Sequence, residues 1–71
     1  MDVTEVAGRA ADRDPEVGLA AVAALRALLE ELEAAHVSNA RAQGWSWERI
    51  ADALGVRRQT AHRKHARRTR R

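Results

Sequence analysis

Apolar residues recur along the middle of the chain at alternating steps of three and four, as Val22, Leu25, Leu29 and Leu32, and His36 and Asn39 continue the register. That spacing keeps one face of an α-helix turned towards a neighbour. Asp14, Pro15 and Glu16 suit its start, because aspartate caps, proline fits the first helical position and an acid faces the positive end of the dipole. Gly18 is the one breaker before Gly44, so the pattern predicts a helix over 15–43, on the order of 40 Å long at 1.5 Å per residue. Residues 1–14 carry Val3, Val6, Ala7 and Ala10 at helical spacing around Gly8, which predicts an arm or a short helix.

Beyond Gly44 the expected helices are shorter. Ser46 is a natural N-cap, and Trp45 before it is placed to staple onto Ile50. A helix from Trp47 to about Ala53 follows. Gly55 supplies a turn in the left-handed region, and a last helix near 57–68 begins at Arg57 or Arg58. Ile50, Ala51, Leu54, Val56 and Ala61 are the expected inward positions of this pair. The large apolar residues outside the long helix, Trp45, Trp47, Ile50, Leu54 and Val56, are too few to cover it and also build their own core, so the stripe of Val22, Leu25, Leu29, Leu32, His36 and Asn39 reads as a homodimer seam, with His36 and Asn39 as polar register positions. Packing within one subunit is the commoner fate of such a stripe. A chain of 71 residues buries only about 60% of its unfolded surface, and without cysteine, association is the available reinforcement.

Charge divides the chain more sharply than its net +3 suggests. Residues 1–40 hold three arginines against eight acids, whereas 41–71 hold nine arginines and Lys64 against Glu48 and Asp52. The halves therefore carry −5 and +8. A block this basic neutralises phosphates and releases counterions, which dominates non-specific affinity for nucleic acid; a solvated basic tail is the plainer reading.

The segment GWSWERIADALGVRRQTAHRKH, residues 44–65, resembles the helix-turn-helix superfamily. The likeness is carried by the small residue Ala51, by Gly55 four places later, and by anchors at Ile50, Leu54, Val56 and Ala61. More narrowly it is similar to the C-terminal module of small actinobacterial helix-turn-helix DNA-binding regulators. Arg57 stands where serine or threonine often opens the second helix, and Lys64 where the pattern is usually apolar; a lysine stem covers apolar surface while its ammonium reaches solvent or phosphate. The expected whole is all-α: a long N-terminal helix that dimerises, then a helix-turn-helix module over 44–71 with a basic tail. Such a module presents its second helix to the major groove of double-stranded DNA. With the anchors inward, Arg58, Gln59, His62 and Arg63 turn outward and Arg57 and Thr60 lie at the leading edge, six base-reading candidates. Arginine grips guanine and glutamine grips adenine bidentately. Lys64, Arg67, Arg68, Arg70 and Arg71 are candidate phosphate contacts, as is Ser46 with the amides that follow it. A role in transcription is what the resemblance implies.

Other classes fit less well. Ser38 and Ser46 lie on a helix and at a cap, no carboxylate pair is expected in an apolar pocket and no glycine-rich phosphate loop follows a strand, so an enzyme is not expected. His62 and His65 have a spacing that metal pairs use, but no thiol or acid completes the set, and no metal or cofactor is expected. No small-molecule effector is inferred. A basic face without aromatic residues argues against structured RNA. A module on the same scaffold that binds a larger regulator or a polymerase subunit is the rival, and its outer face would be apolar or acidic. Without an apolar leader or a span of about 18 apolar residues, the expected location is cytoplasmic.

Overall fold

The all-α expectation holds through residues 2–69, which the computed structural model describes, with the backbone alone for 68 and 69. The described helices are α1 (Val3–Ala10), α2 (Pro15–Ala42), α3 (Trp47–Leu54) and α4 (Arg58–Thr69), and no strand occurs among the described residues. None of these helices is long and apolar enough to cross a membrane.

Short side chains start each of the first three helices. Asp2 accepts hydrogen bonds from the Thr4 and Glu5 amides at 3.0 and 3.4 Å, which carries α1 through Gly8. Asp14 accepts from the Glu16 amide at 3.0 Å, the cap expected for α2. Gly18 does not break α2: it is buried beneath the Asp12 carbonyl oxygen, 3.3 Å from where a Cβ would stand. Ser46 accepts from the Arg49 amide at 3.1 Å and opens α3.

Two glycines end helices in the same way. At the end of α2 the Trp45 amide returns to the Ala40 carbonyl and the Gly44 amide to that of Arg41, both at 3.0 Å, with Gly44 at φ 86°. At the end of α3 the Val56 amide returns to Ala51 at 3.0 Å and the Gly55 amide to Asp52 at 3.2 Å, with Gly55 at φ 72°. Both are Schellman closures, which satisfy the last carbonyls and need a left-handed residue that glycine supplies without strain.

The chain divides within α2, after Glu31, into two compact units. In the first, α1 and the N-terminal half of α2 bury Gly18 and Ala21 and leave Leu25 and Leu28 half-buried. In the second, the C-terminal half of α2 joins α3 and α4 around Val37, Trp47, Ile50, Ala51 and Ala61, with Ala40, Trp45 and Ala66 packed against them. The inward placing of Ile50, Ala51 and Ala61 is observed. Leu54 and Val56 are corrected: they remain 38% and 40% exposed. They lie at the α3–α4 turn, and the helix that covers α3 contributes its large residue, Val37, to the Trp47 side instead.

Candidate nucleic-acid interface

The second unit is built from α2 outward. Glu33, Val37 and Ala40 recur at steps of four and three, so they share the face of α2 that meets the rest of the unit. Val37 is 3% exposed, and Ala40 admits Trp45 and its neighbours closely. Leu32, His36 and Asn39 each precede one of these residues and are therefore rotated from them by about 100°. They are exposed, and so are Val22 and Leu29, whereas Leu25 is half-buried. Leu29 is 65% exposed, an unusual state for a leucine at the centre of a long helix.

Trp47 fixes α3 to both neighbours. Its ring is buried, with the Arg41 guanidinium of α2 above it at 4.8 Å from the centroid. The His62 ring of α4 meets it edge-on, with centroids 5.2 Å apart and planes at 79°. Arg41 also donates to the Trp45 carbonyl at 2.7 Å. Trp45 in turn lies under the Arg49 guanidinium at 3.6 Å, so each tryptophan carries a cation on its face.

Helix α4 turns Ala61 and His65, one turn apart, into the interior at 2% and 1% exposure. Arg57, Arg58, Gln59, His62 and Arg63 are exposed and Thr60 is half-buried, so the six base-reading candidates lie together at the start of this helix. Arg57 precedes its first turn and its carbonyl accepts from the Ala61 amide at 3.1 Å, a backbone start where serine or threonine would add a side-chain cap. Among the phosphate candidates, Arg67 is exposed, and the Ser46 hydroxyl is taken up by the cap of α3. Arg70 and Arg71 lie outside the described residues, as does the side chain of Arg68.

Lys64 has a specific partner. Its ammonium lies 3.1 Å from Glu33 Oε2 on α2, and the same oxygen lies 2.5 Å from His65 Nε2. Burial pushes the Glu33 carboxyl up, but hydrogen bonds from Lys64 and His65, with their charges, outweigh it and hold the pKa below its ordinary value. A histidine inside the basic module thus answers to an acid from the acidic half of the chain.

Glu33 and His65 were not distinguishable by hydropathy, because a buried histidine paired with a glutamate reads in sequence as two polar residues, whereas Val37 stands out as the one large apolar residue between Leu32 and Trp45. The available signal was the Glu33–Val37–Ala40 spacing, overshadowed by the leucine stripe one residue earlier.

No family model, curated protein or solved structure matches the chain.

Proposed function

We propose that this protein is a sequence-specific double-stranded DNA-binding regulator: α3 and α4 act as a helix-turn-helix, α4 enters the major groove, and α2 dimerises. One observation carries the reading. Within a segment of charge +8, α4 buries little beyond Ala61 and His65 and presents Arg58, Gln59, His62 and Arg63 to solvent. Long polar side chains with forked donors, set on a helix anchored from behind, suit base edges. Arg67, Arg68, Arg70 and Arg71 supply the phosphate contacts that position the helix. Regulation of transcription is the role such binding serves, and the compartment is the cytoplasm.

Dimerisation follows from the exposed stripe. Leu29, Leu32 and Val22 are 65%, 47% and 38% exposed on one helix, and contiguous apolar surface of this kind marks an association face. A second copy of α2 completes the heptad seam and sets two recognition helices about one turn of DNA apart. Leu29→Glu is expected to convert dimers to monomers in sedimentation velocity, and an unchanged profile would remove the seam.

Titration of a labelled random-sequence duplex across salt concentrations tests the DNA reading. Each neutralised phosphate steepens the slope of log affinity against log salt by about 0.9, so several contacts give a slope of several units. Absence of binding at low salt overturns the reading. It would favour the protein-binding alternative, for which Leu54 and Val56 at the α3–α4 turn provide exposed apolar surface.

A further inference from the structure

Helix α4 has little apolar grip. Its inward residues are a methyl group, Ala61, and an imidazole, His65, with Ala66 partly buried beside them. A helix so held can rotate about its axis at small hydrophobic cost, and a rotation re-aims every side chain on its outer face. Besides the edge contact between His62 and Trp47, a polar contact resists rotation. Glu33 Oε2 takes His65 Nε2 at 2.5 Å and Lys64 Nζ at 3.1 Å, two adjacent residues of α4 gathered on one oxygen of α2. His65 is 1% exposed, so water does not readily replace this bond, whereas the Lys64 side chain is 42% exposed and could swing outward if released.

We infer that Glu33 is a positioning residue for the DNA-reading face: it fixes the rotation of α4 through His65 and holds the Lys64 ammonium back from the phosphates. The inference rests on the DNA-binding reading above. Glu33 touches no base. It determines which cations the duplex meets, so that the arginines and Gln59 make the contacts and the lysine does not.

The test compares wild type, Glu33→Gln, Lys64→Ala and the double variant. Each is titrated at several salt concentrations against two duplexes, the best site from a random library and a scrambled control. Lys64→Ala alone leaves the salt slope unchanged. Glu33→Gln steepens it by about 0.9, the release of one further cation onto phosphate, and adding Lys64→Ala removes that increment. Glu33→Gln also lowers the ratio of preferred to scrambled affinity by about fivefold, the lower range for one lost bidentate base contact. A residue that only stabilises the fold would weaken both duplexes in proportion and leave the slope alone. That outcome overturns the proposal, and so does a slope that falls by about 0.9 in Lys64→Ala alone. If Glu33→Gln does not fold by circular dichroism, Lys64→Ala, whose side chain is 42% exposed, decides by the same criterion. If the wild type binds neither duplex, the DNA reading fails and the withholding of Lys64 from phosphate fails with it. Melting temperatures of the four proteins then settle the anchor: non-additive losses support it and additive losses overturn it.

Discussion

Helices α3 and α4 are neighbours held by different physics. Over eight residues α3 buries Trp47, Ile50 and Ala51, is capped by Ser46 and closes on Gly55. Over twelve residues α4 buries Ala61 and His65 among its described side chains, begins without a side-chain cap from Arg57, and carries arginines around the rest of its surface. Apolar area removed from water contributes about 25 cal/mol per Å², so α3 is secured by its own composition. Helix α4 is secured by what α2 and α3 offer it: the Glu33 carboxylate behind His65, the edge contact between the Trp47 and His62 rings, and the tight turn. Helix α4 thus leaves six of its ten described side chains, Arg58, Gln59, His62, Arg63, Lys64 and Arg67, exposed to solvent. The interface proposed for α4 follows from how little of it the fold uses.

The contrast is broken most strongly on the α3 side. Ile50→Ala removes a side chain 2% exposed and is expected to cost about 2–5 kcal/mol, read as a fall in thermal midpoint on the order of 10 °C or more, with DNA binding lost alongside. A midpoint within a degree or two of wild type would mean that α3 is not the structural member. On α4 the effect moves from folding to recognition. Arg63→Ala leaves the folding stability within about 0.5 kcal/mol of wild type and lowers affinity for the preferred site relative to scrambled DNA by about 1–3 kcal/mol. Arg67→Ala weakens both duplexes alike and reduces the salt slope by about 0.9. Equal losses for Arg63→Ala on both duplexes would withdraw its base-reading role.

The turn between the helices gives the next effect. A Cβ at Gly55 meets nothing within 4 Å, so space is not the constraint; φ of 72° is. Gly55→Val is expected to cost at least about 1–2 kcal/mol, the penalty of the left-handed region for a side-chain-bearing residue, increased by β-branching. Chemical denaturation measures it, and a neutral result would mean that the Schellman closure is dispensable. The smallest effect is acid-dependent. The folded pKa of Glu33 lies below its ordinary value, so its stabilising contribution is present above the ordinary carboxylate range and is lost as pH falls through the lowered value. The thermal midpoint of the wild type should therefore decline into that acid window more steeply than that of Glu33→Gln, and parallel curves would remove Glu33 from the anchor.

Local chemistry made much of the fold legible in the sequence. Asp14 with Pro15, Ser46, Gly44 and Gly55 fix helix ends through bonds within a few residues, and such bonds are written in short motifs. The inward placing of Ile50, Ala51 and Ala61 followed from the same spacing. What the sequence obscured depended on which helix face met which partner. The leucine stripe dominates α2 by hydropathy, yet the second unit packs on Val37, five positions and so about 140° round the helix from Leu32. Leu54 and Val56 looked like core because they flank Gly55, but the cover supplied by α2 lies on the side of Trp47. The burial of His65 was not legible because hydropathy scores an imidazole without its partner, and Glu33 is 32 positions away. The exposed candidates of α4 were readable from periodicity, while the anchor that aims them was not.

The central claim is that α4 reads sequence, and the most direct measurement is selection of bound duplexes from a random library at about 150 mM salt, where screening suppresses loose electrostatic binding. Recovery of a defined motif with two related half-sites about one helical turn apart is the expected result. Binding that is absent, or that returns the library unchanged, would contradict it.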